Sequence, residues 1–90
     1  MNTAINRYEY SYCGERYTME RVPGGWIISR DRGPHLGRFY LASARRARVW
    51  YDRIPSYKWT RDRETARVYQ YKTARHHWYF LTGDDLAPEG

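Results

Sequence analysis

Several things are scarce in this chain, and each scarcity excludes something. Cys13 is the one cysteine, so no intramolecular disulfide is possible and the paired cysteines of a structural zinc site are missing. No apolar run approaches the roughly 20 residues that a membrane helix needs. Runs such as Trp26 to Ile28 and Trp78 to Leu81 are only three and four residues long, so an integral membrane protein is not expected. Met1 to Arg7 carries no apolar segment behind a positive charge; no secretory signal is read there, and a cytoplasmic setting is the expectation.

Aliphatic residues are scarce as well. Leu, Ile, Val and Phe make up 13 of 90 residues, below the roughly 20% under which a charged chain is suspected of disorder. What replaces them is ten Tyr and four Trp, each able to bury about 150 to 250 Å2. The chain therefore reads as a single domain over 1–90 with an aromatic core, and 84–90 as a frayed tail.

Lysine is nearly absent too: Lys58 and Lys72 stand against fourteen Arg in a chain of net charge +6. Residues 30–75 hold thirteen basic and four acidic side chains, while 1–29 balance three against three. The planar guanidinium fork pairs bidentately with carboxylate or phosphate and stacks on rings, which suits a binding surface. A genome that writes arginine codons by preference would leave the same mark.

Tyr8, Tyr10 and Tyr12 alternate with Glu9 and Ser11, the period of a half-buried strand over 7–12. Pro23-Gly24-Gly25 is a turn signal that makes 16–30 a hairpin. Residues 31–37 read as a loop and 38–42 as a strand. The spacing leaves 43–55 open between a helix and a loop followed by a strand. Short strands are expected at 56–61 and 66–71, the latter with Ala66 and Val68 on one side. Thr73 is placed as the N-cap of a helix over 73–82 that ends at Gly83. The fold class that follows is α+β: an antiparallel sheet of about five or more short strands packed on one C-terminal α-helix. Trp26, Ile28, Phe39, Leu41, Val68, Trp78 and Leu81 are the expected core.

Candidates for catalysis are few. His35 sits in a Gly-Pro loop, and His76 and His77 are neighbours on a helix, pointing too far apart to ligate one metal. There is no glycine-rich phosphate loop and no nucleophile elbow. No cofactor, metal site or catalytic residue is expected, although a metal-independent ribonuclease of the toxin type stays open on composition alone. The stronger constellation interleaves rings with cations: Arg45, Arg46, Arg48 and Trp50 in one stretch, Tyr57, Lys58, Trp59, Arg61 and Arg63 in the next. Such stretches grip single-stranded nucleic acid by phosphate pairing and base stacking, and they equally suit an acidic protein surface. The competing reading makes Trp50 and Trp59 core residues and the arginines a solvated rim.

Trp59-Thr60-Arg61-Asp62, then Ala66-Arg67-Val68-Tyr69, then Thr73-Ala74 opening a helix, resembles the strand-turn-strand-helix ending of short phage and prophage proteins. With Phe39-Tyr40-Leu41-Ala42 the resemblance covers about half the chain. It implies an accessory protein of the anti-defence type, such as an anti-CRISPR inhibitor, which occludes a partner and needs no active site. Many such inhibitors are acidic mimics of nucleic acid; this chain is basic, which leaves as partner an acidic face of a protein or ribonucleoprotein complex, or nucleic acid itself.

Overall fold

The computed structural model describes residues 6–31, 37–41, 54 and 56–86. Strands β1 (Arg7–Tyr12), β2 (Glu15–Val22), β3 (Gly25–Asp31), β4 (Gly37–Tyr40) and β5 (Trp59–Thr60) form one antiparallel sheet in sequence order. A 3-10 turn at Ser56–Lys58 leads into β5, and the helix α1 (Tyr71–Thr82) follows. The expected α+β class, an antiparallel sheet with one C-terminal helix, is what the chain forms.

The alternation in β1 holds for Tyr8 and Tyr10, which are half-buried against the core while Arg7, Glu9 and Ser11 are exposed, but Tyr12 at the strand's end is exposed as well. Register carries that face across the sheet. Tyr8 stands opposite Met19, Tyr10 opposite Tyr17, Met19 opposite Ile28, and Tyr40 opposite Trp59. Helix α1 closes this face with Ala74, His77 and Trp78. Tyr8 packs on both Trp26 and Trp78, with ring centroids 5.8 and 6.4 Å apart, and Tyr71 lies 6.1 Å from Trp26. Offset ring pairs of this kind add about 0.5 to 1.5 kcal/mol each beyond the area they bury, which is how a chain poor in aliphatics holds together.

The core departs from expectation at three positions. Trp26, Ile28 and Trp78 are buried in it and Leu81 packs at its edge, but Phe39, Leu41 and Val68 do not join it as expected. In β4 the inward ring is that of Tyr40, which meets Trp59, Tyr69 and His77 at 5.4, 6.0 and 5.3 Å. Alternation then turns Phe39 to the other face, beside Ser29 and Thr60. Val68 is exposed because 66–71 is not a strand. Ala66 N–H donates to the Asp62 and Arg63 carbonyls, closing a helical turn, and within 66–71 only Tyr69 pairs its backbone with the sheet, by one isolated bridge to Trp26.

Further boundaries differ. Of the strand expected over 56–61, Ser56–Lys58 is a 3-10 turn and only Trp59–Thr60 pairs. The helix starts two residues early, with Gln70 as its N-cap and Thr73 exposed inside it. Its end is as expected: Gly83 is left-handed (φ 77) and donates its N–H to Tyr79 O at 2.7 Å. Past it the chain is not frayed as far as it is described, since Leu86 is buried in the core. The ambiguous stretch 43–55 lies outside the described residues except for Ile54, which is buried. Among the described residues no helix is long and apolar enough to cross a membrane.

Candidate functional site

The nine residues expected to bind a partner do not share one fate. Arg45, Arg46, Arg48 and Trp50 lie outside the described residues. Trp59 is a core residue, buried beneath Tyr40 and Arg30. Tyr57, two positions earlier, is 78% exposed. The 3-10 turn explains the split: Leu41 N–H donates to Lys58 O at 2.6 Å, docking the turn on the end of β4 and committing Trp59 to the inner face. Lys58 is half-buried and Arg61 exposed. Arg63 is exposed and forms an ion pair with Glu20 of β2. The structure therefore keeps Tyr57, Lys58, Arg61 and Arg63 as surface groups and removes Trp59 from their number.

A second polar group, with Lys72 and Arg75 as its cations, emerges on α1. Lys72, Arg75, His76 and Tyr79 recur at the spacing of one helix face, opposite the buried Ala74, His77 and Trp78. With Asp85 they line an open depression of about 340 Å3. Tyr79 is 57% exposed there. The Arg75 Nε and Nη2 donate to the two carboxylate oxygens of Asp85 at 2.6 and 2.5 Å. That fork holds the Asp85 carboxyl below its ordinary value and lifts the guanidinium of Arg75 above its own. Sequence reasoning centred on runs of adjacent basic residues and so passed over this stripe, whose members are adjacent only when the helix is wound. A helical-wheel reading of 71–82 would have found it.

His77 is the one histidine of the described pair that faces inward. Its ring meets Tyr69 and Tyr40 edge-on at 5.1 and 5.3 Å. Burial, with the charges of His76 and Lys58 nearby, pushes its pKa from 6.5 down to about 4. It is neutral at physiological pH and packs among rings, with no acidic partner among the described residues. His76, 6.0 Å away, points outward.

At the other end of the inner face stands Arg30, buried and ion-paired with Glu15. Its guanidinium carbon lies 5.9 Å from the Tyr17 ring and 5.7 Å from the Trp59 ring, which places a cation among π-faces where its attraction is least screened. Arg38 stands directly opposite it on β4. Against family models, curated proteins and solved structures, the chain shows no match.

Proposed function

We propose that this chain is a non-enzymatic binding protein that engages the acidic face of a nucleic-acid-handling protein complex, as an inhibitor of the kind phages and mobile elements carry. The observation that carries the reading is the exposure of Tyr79 amid Lys72, Arg75 and His76 on one helix face. A solvent-facing tyrosine set beside Arg75 and Lys72 has the composition of an interface hot spot, because Tyr and Arg bury large amphipathic area at small entropic cost. Tyr57 with Lys58 and Arg61 supplies a second such group, and Arg45, Arg46 and Arg48 extend the same basic stretch of sequence.

A protein face suits the site better than a nucleic-acid backbone. Tracking phosphates requires a run of cations that release counterions, whereas Arg63 and Arg75 are already held by Glu20 and Asp85. Such pairs make a discrete pattern of charge and ring, the kind that fixes register on a folded partner. The resemblance to small phage proteins supports the inhibitor role.

The test is a pull-down from the host of origin with wild type and three triple variants. Changing Lys72, Arg75 and His76 to Glu is expected to abolish recovery of the partner, and so is changing Arg45, Arg46 and Arg48. Changing Arg7, Arg16 and Arg21 is expected to do much less. Equal recovery by all four proteins sinks the reading. A salt series with short DNA and RNA decides the competing case: tight binding that falls steeply with salt makes nucleic acid the direct ligand.

A further inference from the structure

We propose that Arg30, Arg38 and Trp59 form a binding site for a tetrahedral oxyanion of the phosphate class, set into the inner face of the sheet. The Nε of Arg30, the Nε of Arg38 and the indole Nε1 of Trp59 are each shut off from solvent, and none has an acceptor among the described residues. They belong to three consecutive strands, β3, β4 and β5. Register places Arg38 directly across from Arg30, and Tyr40, the next residue of β4 on that face, across from Trp59. Directly paired side chains have Cβ atoms about 5 Å apart and diagonal neighbours about 7 to 8 Å. The Arg30 guanidinium carbon lies 5.7 Å from the Trp59 ring. The three donors thus sit within one patch.

Two energetic costs meet in this patch. A buried donor without an acceptor forfeits its hydration with nothing in return, and three such donors in one place are far from the norm for a folded chain. Two like charges directly opposite on neighbouring strands repel. Glu15 offsets Arg30 through their ion pair, whereas no ion pair is seen for Arg38 among the described residues. An oxyanion between the two arginines removes both costs at once, accepting from three N–H groups and placing negative charge between two guanidinia. A tetrahedral anion suits donors that arrive from three strands better than a planar carboxylate, whose acceptor sites lie in one plane. Arg38 is only half-buried, which provides the route in. The site is separate from the surface of α1 and stands whether or not that surface binds a protein partner.

The experiment is a titration of the full chain with inorganic phosphate at constant ionic strength, followed by 1H–15N NMR of the indole and guanidinium N–H groups. The Trp59 indole and the Arg30 and Arg38 Nε–H signals are expected to move saturably, while the indoles of Trp26 and Trp78 stay still. Loss of one charge-assisted donor weakens such a site by roughly tenfold or more, so Arg38→Gln is expected to remove the response. Because Arg38→Gln also relieves the repulsion, it is expected to fold at least as stably as wild type in chloride and to lose the rise in Tm that phosphate confers on wild type. Trp59→Phe keeps the ring, drops one donor and is expected to bind more weakly. A parallel titration with a short oligothymidylate separates the sources: a response to phosphate alone assigns a free or terminal phosphate, and a response to both extends the site to phosphodiesters. No saturable shift with either, an equal response to acetate, or an undiminished response in Arg38→Gln overturns the assignment.

Discussion

Trp26 and Tyr69 exchange both of their backbone hydrogen bonds, Trp26 N–H to Tyr69 O at 2.9 Å and Tyr69 N–H to Trp26 O at 2.8 Å. This bridge fastens the segment between β5 and α1 onto β3 beyond the reach of β4, which pairs only with Ser29 to Asp31. The helix therefore starts from a fixed point, with Tyr71 already against Trp26. The approach is possible because residue 25 is glycine: a Cβ there would fall 2.0 Å from Tyr69 O and 2.9 Å from Val68 Cγ1.

Gly25→Ala is accordingly expected to break the bridge and destabilise the fold by about 3 kcal/mol or more, since backbone atoms have to move. Gly14→Ala is the matched control, a left-handed glycine (φ 78) whose Cβ would meet nothing within 4 Å. It is expected to cost only the conformational penalty of about 1 kcal/mol. Urea denaturation of both variants checks the difference, and equal losses would mean that the close approach is unimportant.

In α1, Trp78→Ala is expected to cost about 3 to 5 kcal/mol by opening a cavity where Tyr8 and the sheet meet the helix. Thr73→Ala is expected to be neutral or slightly stabilising, because Thr73 lies exposed inside the helix and alanine is the better helix former. Melting curves of the two variants measure it; a loss of about 1 kcal/mol for Thr73→Ala would restore Thr73 as the N-cap.

Acid is expected to destabilise the fold through His77. Its folded pKa of about 4 lies below the ordinary 6.5, so the unfolded chain binds more protons between these values. The stability is fully present above pH 6.5 and is lost as pH falls toward 4, by roughly 3 kcal/mol in all. His77→Phe keeps an aromatic ring between Tyr40 and Tyr69 and removes a buried Nδ1 that has no partner. It is expected to flatten the dependence over that window, measured as denaturation free energy against pH; an unchanged slope would assign the acid sensitivity to other groups.

Asp85→Asn is expected to strengthen binding to polyanions while leaving stability nearly unchanged. The carboxylate lies exposed and holds Arg75 by a fork, and exposed pairs contribute little to folding. Releasing Arg75 is expected to tighten retention on a polyanionic matrix such as heparin by up to about fivefold. Retention equal to or weaker than wild type would show that Asp85 helps by orienting Arg75.

Much of this fold is legible in the chain because its signals are local. The Tyr8-Tyr10-Tyr12 alternation, the Pro23-Gly24 turn and the glycine after Thr82 each constrain only their immediate neighbours, and each falls where the structure places it. Sequence by itself determined the antiparallel order of β1, β2 and β3 and the C-terminal helix, through side-chain period and turn chemistry. Tertiary structure decided which of two alternating faces turned inward in β4, because Phe39 and Tyr40 are equally eligible until Trp59, Tyr69 and His77 arrive from distant sequence to surround Tyr40. It also decided the fate of 66–71, where one bridge to Trp26 replaced a strand. Tyr57 and Trp59 show the same limit at the candidate site. Both are rings beside cations in sequence, yet the docking of Lys58 on Leu41 turned one to solvent and the other into the core. Local pattern specifies the period of exposure along an element, while its phase depends on contacts that only the folded chain makes.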